Sequence, residues 1–422
     1  MRNLKKVIVT IVLLIMVLGS VFTAGQREKA LLGNKLSYWS TDLESDNSII
    51  ERITNEIWNV ENPDAMVKYE VIPGGPQDFF QKLSTAFAAG QGPDIFTVSA
   101  AEFNRYVESG IAMQLDDWIN PNIDDFYAAT INGVSNDGHI YGYPGNGDLL
   151  GLYVNVDMFD DAGLDFPETW DETITAAEKL AKDDVYGLLV STSAGGGYGQ
   201  FEHYPFMWMG GGNIFAADNK TVIVNSQATI DAFQFYRNIA KSPGGARSNP
   251  LDGAFDITLF GAGKVAMQLC GSWGVGALAS GFPDLNYTII PYPVPKKGMK
   301  SSSDKGGWHF MASTRGSNPD RAADYLNWLY NNENTSYMEE LCERGARFSP
   351  RKSVIENADF YKEFPFNIFA EKIAPIAQME PRFPAEVMKA YGDALEASAS
   401  ELSRDIPNIV AELELKIKAK MK

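Results

Sequence analysis

Residues 142–172 read GYPGNGDLLGLYVNVDMFDDAGLDFPETWDE. Leu149 to Val154 is a short apolar run, with Gly145 and Gly147 before it and Asn155 after it. Such a run, bounded by turn residues, reads as a buried strand. The acidic segment that follows reads as a short helix. Thr169 and Glu172 then form a capping box, in which a hydroxyl and an acid three residues on satisfy the first N–H groups of a helix. The stretch describes a strand leaving one packed body, a polar turn able to face a ligand, and a helix opening a second body. A buried strand followed by a capped helix in a single body is the plainer alternative.

Length supports the two-body reading, because 422 residues exceed the size at which one core keeps growing. A chain that is 45% hydrophobic and 12% aromatic can bury large cores, which excludes a disordered protein. The formal charge is −18. Such a surface repels phosphate backbones and anionic lipid, so nucleic acid is not an expected partner. The N-terminus reads as an export signal: Arg2, Lys5 and Lys6 precede an apolar core from Val7 to Leu18, and small residues to Gly25 offer a cleavage site. That core is shorter than the roughly 20 residues a spanning helix needs. Residues 1–25 are therefore expected to be a signal peptide, removal of which leaves a periplasmic or extracellular protein. Only Cys270 and Cys342 are present, and two cysteines specify no disulfide framework.

Beyond the leader, Lys35 to Ser40 alternates like a strand, Ser48 and Glu51 suggest a capped helix, and Val67 to Ile72 is a second strand. Gln77 to Ala89 is a helix closed by Gly90, and Asp94 to Val98 a third strand. This alternation predicts an α/β fold with mainly parallel, doubly wound sheets. Further on, Ser193 to His203 reads as a Gly- and aromatic-rich loop, Ile289 to Pro295 as a second crossing between the bodies, and Lys296 to Gly306 as a polar loop.

Catalytic and metal chemistry find little support. His139, His203 and His309 are the only histidines, and none has the spacing of a metal site. Neither a Gly-x-Ser-x-Gly elbow nor a phosphate loop appears. Adjacent acids such as Asp116-Asp117 suggest solvated helix starts before a glycosidase pair. No cofactor, no metal and no enzymatic activity are expected.

Binding suits the residues better. A sugar offers apolar faces rimmed by hydroxyls and calls for aromatic surfaces with acids, amides or Arg around them. Ligands of α/β sheets sit beyond the carboxyl ends of strands. That rule selects Trp39 and Asp42 after the first strand, Ser99 and Glu102 after the third, and Trp273 after the Val265 strand.

Several motifs carry a resemblance: Phe87 to Phe96, Gln114 to Asp117, Tyr141 to Pro144, Tyr153-Val154-Asn155, Met158 to Leu164, Pro167 to Glu172, and Gly271-Ser272-Trp273. Together the chain resembles the family 1 extracellular solute-binding proteins, sugar-type receptors of ABC importers similar to maltose-binding protein. The resemblance implies a two-lobed fold with a cleft and hinge, one lobe of residues 34–146 plus 292–345 and the other of 147–291 plus 346–422. It implies a monomer that captures a mono- or oligosaccharide by closing on it and delivers it to membrane permease subunits. Asp148 matches a sugar-contacting carboxylate of the family and Trp273 its stacking Trp. Tyr198 and His203 lie where the family places further contacts, and Trp308 and Arg347 are added candidates. Core packing for Trp39 and Trp273, and a hinge brace for Asp148 and Arg347, are the structural alternatives. Many relatives carry a lipid-modified Cys near the leader, whereas the first cysteine here is Cys270, so no lipid anchor is expected. A receptor for a sugar acid or polyamine, or a glycan hydrolase, are the rival functions.

Overall fold

The computed structural model describes residues 35–41, 47–182, 184–191, 198–218, 220–242, 246–248, 256–331, 333 and 335–421. The expected leader and Asp42 lie outside them. The first lobe opens with β1 (Leu36–Thr41), α1 (Asn47–Ile53), β2 (Val67–Ile72), α2 (Gly75–Ala88), β3 (Ile95–Ser99) and α3 (Ala100–Glu108). The long strand β4 (Tyr143–Asn155) then carries the chain away. It is followed by α4 (Trp170–Leu180), β5 (Tyr186–Val190), α5 (Tyr198–Met209), α6 (Gln227–Lys241) and the short β6 (Ala246–Ser248). Next come β7 (Val265–Gly271), α7 (Gly274–Gly281), β8 (Tyr287–Ile290) and a second long strand, β9 (Ser303–Ala312). The chain ends with α8 (Pro319–Tyr330), α9 (Ser336–Gly345), β10 (Ala377–Met379), α10 (Ala385–Ser400) and α11 (Ile406–Lys420).

The strands join in the order β2-β1-β3-β9-β4-β7-β5-β6, with β8 on β4 and β10 on β9. β1 pairs with β2 and β3 in parallel, as β5 does with β6 and β7. Each lobe thus has the expected parallel sheet. The antiparallel pairs β3–β9, β9–β4 and β4–β7 link the two sheets. β4 spends Tyr143 to Leu149 against β9 and Leu150 to Val154 against β7. It is the crossing that the opening stretch of sequence describes. Its partner in the crossing is β9, so residues 303–306 are strand where a polar loop was expected.

Local chemistry explains the main element ends. The capping box is complete: Glu172 N–H donates to Thr169 Oγ1 (3.3 Å) and Thr169 N–H to Glu172 Oε2 (3.0 Å). Helix α1 starts at Asn47, whose amide donates to the Thr41 carbonyl (2.8 Å), instead of at a Ser48 box. Asp94, just before β3, accepts from the Ser37 N–H (2.7 Å) and hydroxyl (2.8 Å) and from the Ser317 N–H and hydroxyl (2.5 and 2.7 Å). One carboxylate so ties β1 to the turn that leads into α8.

Two apolar clusters organise the packing. One lies between α4, α5, α6, α10, α11 and the second sheet, with Phe206, Phe233, Tyr236, Tyr391 and Val410 fully or nearly buried. The other fills the first lobe through Tyr38, Phe96 and Leu326, then continues through Phe348, Phe369 and Ile373 to Tyr153 and Leu278 on the opposite face of the second sheet. Cys270 and Cys342 are both buried and are not joined in a disulfide. No described helix is long and apolar enough to cross a membrane.

Candidate functional site

The strand registers bring distant residues together at the crossing. Asp148 on β4 lies opposite Gly306 on β9, Trp308 lies opposite Ser99 at the end of β3, and Leu150 lies opposite Gly271 at the end of β7. The carboxyl ends of strands from both lobes therefore meet beside one short length of β4. Residues paired across a ladder share a face, and alternate residues along a strand do too. Asp148, Gly306, Asp304 and Gly271 accordingly look onto one side of the sheet.

Two glycines make room there. A Cβ on Gly306 would stand 2.7 Å from the Phe201 ring and 3.2 Å from Glu380 Oε2. A Cβ on Gly271 would collide with the Trp273 ring at 1.8 Å. Phe201 from α5 and Trp273 before α7 thus reach in from the second lobe. Trp273 is half-buried and packs against both apolar clusters.

Charge is concentrated on this face. Arg347 Nη1 lies 3.3 Å from Asp148 Oδ2, with only 4% and 9% of the two side chains exposed. Asp304 is fully buried. Burial first, and the neighbouring Glu380 second, hold its carboxyl well above the usual carboxylate range. Burial, with Asp148 adding to it, pushes Glu380 up to about 7. On the other face of β9, burial draws Lys305 down to about 8, and its Nζ lies 5.8 Å from the Tyr127 ring. Among the described residues, no three metal-ligating side chains converge on a common point.

The other candidates take different places. Glu102 on α3 pairs with Arg105 (2.9 Å), and burial raises its carboxyl. Trp308 stacks on Phe80 of α2 at 6.1 Å between centroids. Trp39 donates its indole N–H to Glu70 on β2 (3.3 Å) and lies under Lys82. His203 is a correction: it is fully buried in the second-lobe core, its Nδ1 2.8 Å from the Tyr391 hydroxyl, with Phe233 and Tyr236 edge-on. Burial lowers it to about 3, so it is neutral. Its segment is helical from Tyr198, not a loop, and the turn this adds points His203 inward. Tyr198 begins that helix, but its side chain lies outside the described residues.

Asp304, Glu380 and Phe201 were not among the expected site residues. The clue for Asp304 was a lone acid two residues before Gly306-Gly307, a pair that permits close approach. Glu380 and Phe201 left no comparable mark in the sequence.

A site at facing strand ends, lined from two lobes, is what a hinged binding protein requires. The model of the bacterial extracellular solute-binding proteins matches residues 40–336. The chain belongs to that family. Among solute-binding relatives, the arabinooligosaccharide-binding protein of Halalkalibacterium halodurans is 26% identical over 74% of this chain and 72% of its own length. The lactose-binding protein of Rhizobium radiobacter is 25% identical over 75% of each chain. Among solved structures, maltose-bound MalE3 of T. maritima superposes with a TM-score of 0.80 at 18% identity, covering 92% of this chain and 99% of that one. This last likeness is one of fold.

Proposed function

We propose that this solute-binding protein is an extracytoplasmic receptor that captures a carbohydrate between its lobes and hands it to the permease subunits of an ABC importer. The observation that carries the reading is the convergence of Asp148, Arg347, Asp304, Glu380 and Trp273 beside one length of β4, at strand ends of both lobes. Acids and a guanidinium can exchange paired hydrogen bonds with hydroxyls, while Trp273 and Phe201 cover apolar sugar faces. The names of the relatives, receptors for arabinooligosaccharide and lactose, support the same class. On this reading the chain crosses between the lobes along β4, along β9 and near residue 345, with Tyr292 and Val294 still in the second-lobe core. Asp148 and Arg347 form the polar floor, and Trp273 is the stacking wall. Ser99, Glu102 and Trp308 line the first-lobe rim, and the leader directs export. Lobes joined by a hinge close around their ligand, a motion general to periplasmic binding proteins. The closed form then presents both lobes to the permease.

The test is thermal unfolding of residues 26–422 against mono- and oligosaccharides. A ligand at 1,000 times its Kd adds about 4 kcal/mol of stability. Trp273→Ala should weaken binding of the responding sugar at least about tenfold, because a stacked aromatic contributes about 0.5–1.5 kcal/mol beyond the area it buries. No shift with any carbohydrate, in protein refolded to remove copurified ligand, refutes the proposal. An unchanged Kd in the variant refutes the site.

A further inference from the structure

Among the described residues, the crossing face carries three carboxyls against one guanidinium. Arg347 answers Asp148 at 3.3 Å. No ion pair to Asp304 or Glu380 is formed among the described residues. Lys305 projects to the other face of β9. Arg382 lies over the Phe103 ring at 5.0 Å and donates to the Ser135 carbonyl (2.9 Å). Asp304 is fully buried, and among the described residues no well-formed hydrogen bond reaches either of its carboxylate oxygens. Only the Lys305 backbone N–H offsets its burial. The groups that face it are Glu380, Tyr204 of α5 and Tyr292, which follows β8. None of them supplies a cation, and the buried Tyr292 hydroxyl also has no hydrogen-bond partner among the described residues.

A buried carboxylate without a partner is costly, and two of them in electrostatic contact cannot both ionise unless a cation joins them. The absence of three converging ligands among the described residues argues against a metal ion as that cation. A neutral sugar could accept or donate hydrogen bonds here but would supply no counter-charge against which either carboxyl could ionise. An ammonium group would answer it with charge-assisted hydrogen bonds, the stronger kind. We infer that the carbohydrate captured here is an amino sugar, its protonated amine seated between Asp304 and Glu380. This rests on the carbohydrate-receptor reading above and goes further in naming the class.

The test uses matched trios: a 2-amino sugar, its N-acetyl derivative and the parent sugar, each as monosaccharide and as short oligomers. Calorimetry with the wild-type protein should find the amine bound at least about tenfold more tightly than either neutral member. Titrations in buffers of different ionisation enthalpy, below the pKa of the amine, should show protons released as the carboxyl pair ionises against it. Asp304→Asn and Glu380→Gln should each abolish the preference and the proton release. Glu380 is only half-buried, so its variant carries the test if the Asp304 variant fails to fold. Equal or tighter binding of a parent or N-acetyl sugar overturns the inference and leaves the receptor reading intact. So does binding confined to neutral saccharides outside the trios, or a preference that survives both substitutions. Failure of every carbohydrate overturns both.

Discussion

Replacing Arg347 by Met keeps most of the side-chain volume and removes the guanidinium from beside Asp148. At 3.3 Å and an effective dielectric constant of about 20, the pair attracts by about 5 kcal/mol. The variant also leaves a carboxylate with 9% side-chain exposure in electrostatic contact with Glu380 and without that cation. Losing one partner of a buried pair typically costs about 3–5 kcal/mol. For lobes of this size, about 2–4 °C of Tm accompanies each kcal/mol, so the fall should be roughly 6–20 °C. The double variant Asp148→Asn, Arg347→Met should recover much of the loss, since it removes both charges together. Calorimetric scans of wild type, the single variant and the double variant would measure both effects. A single variant within about 1 kcal/mol of wild type, or a double variant no better than the single, would refute the reasoning.

Asp94→Ala should cost about 2–4 kcal/mol in urea unfolding, because it strands the partly buried N–H groups of Ser37 and Ser317. A loss below about 0.5 kcal/mol would mean that this carboxylate braces nothing. Glu202 is fully buried on α5, where both carboxylate oxygens accept from the Ser191 N–H (3.3 and 3.1 Å) and burial holds the carboxyl well above its usual range. A raised folded pKa favours the fold while the group is protonated, so its contribution is full below the unfolded value and falls away as pH rises. Glu202→Gln should match wild type near pH 4 and be more stable than it at pH 8; parallel pH–stability curves for the two proteins would contradict this.

Much of the fold was legible because its signals were local. The capping box at Thr169–Glu172 needs four consecutive residues, and all of its hydrogen bonds form as the sequence suggests. The Gly90 and Gly163 helix ends show positive φ, at 69° and 62°. β9 was not legible. Its first half, Ser303 to Trp308, holds an acid, a base and two glycines, and nothing in its composition resembles a strand. It is strand because β4 and β10 pair with it on either side, a tertiary effect that no window of sequence contains. His203 failed for a related reason. Read as part of a loop it would be exposed, but a helix beginning at Tyr198 turns it toward Tyr391, a residue 188 positions away.

The site was legible only in part, and the same physics explains which part. Asp148 and Trp273 stand beside glycines in the sequence, so close approach could be read there. Arg347 gained its meaning from what holds it. The chain enters through Ala346 at φ 53°, a left-handed conformation that costs an alanine some strain. Phe348 exchanges backbone hydrogen bonds with Gly147 (2.6 and 3.0 Å), and Arg351 pairs with Asp125 of the first lobe at 2.7 Å. The Phe348 ring meanwhile packs on Phe369, which contacts Tyr153 on the second-lobe sheet. Residues 347–351 are therefore fastened by polar bonds to the crossing and the first lobe, and by apolar contact to the second. Polar bonds of this kind have directional geometry, whereas apolar contacts can slide. Relative motion of the lobes should then leave the Arg347–Asp148 and Arg351–Asp125 pairs in place and be taken up in the aromatic layer of Phe348, Phe369 and Tyr153. Asp148 and Arg347 would then move as one unit, which is what a cleft needs if its floor sets the chemistry.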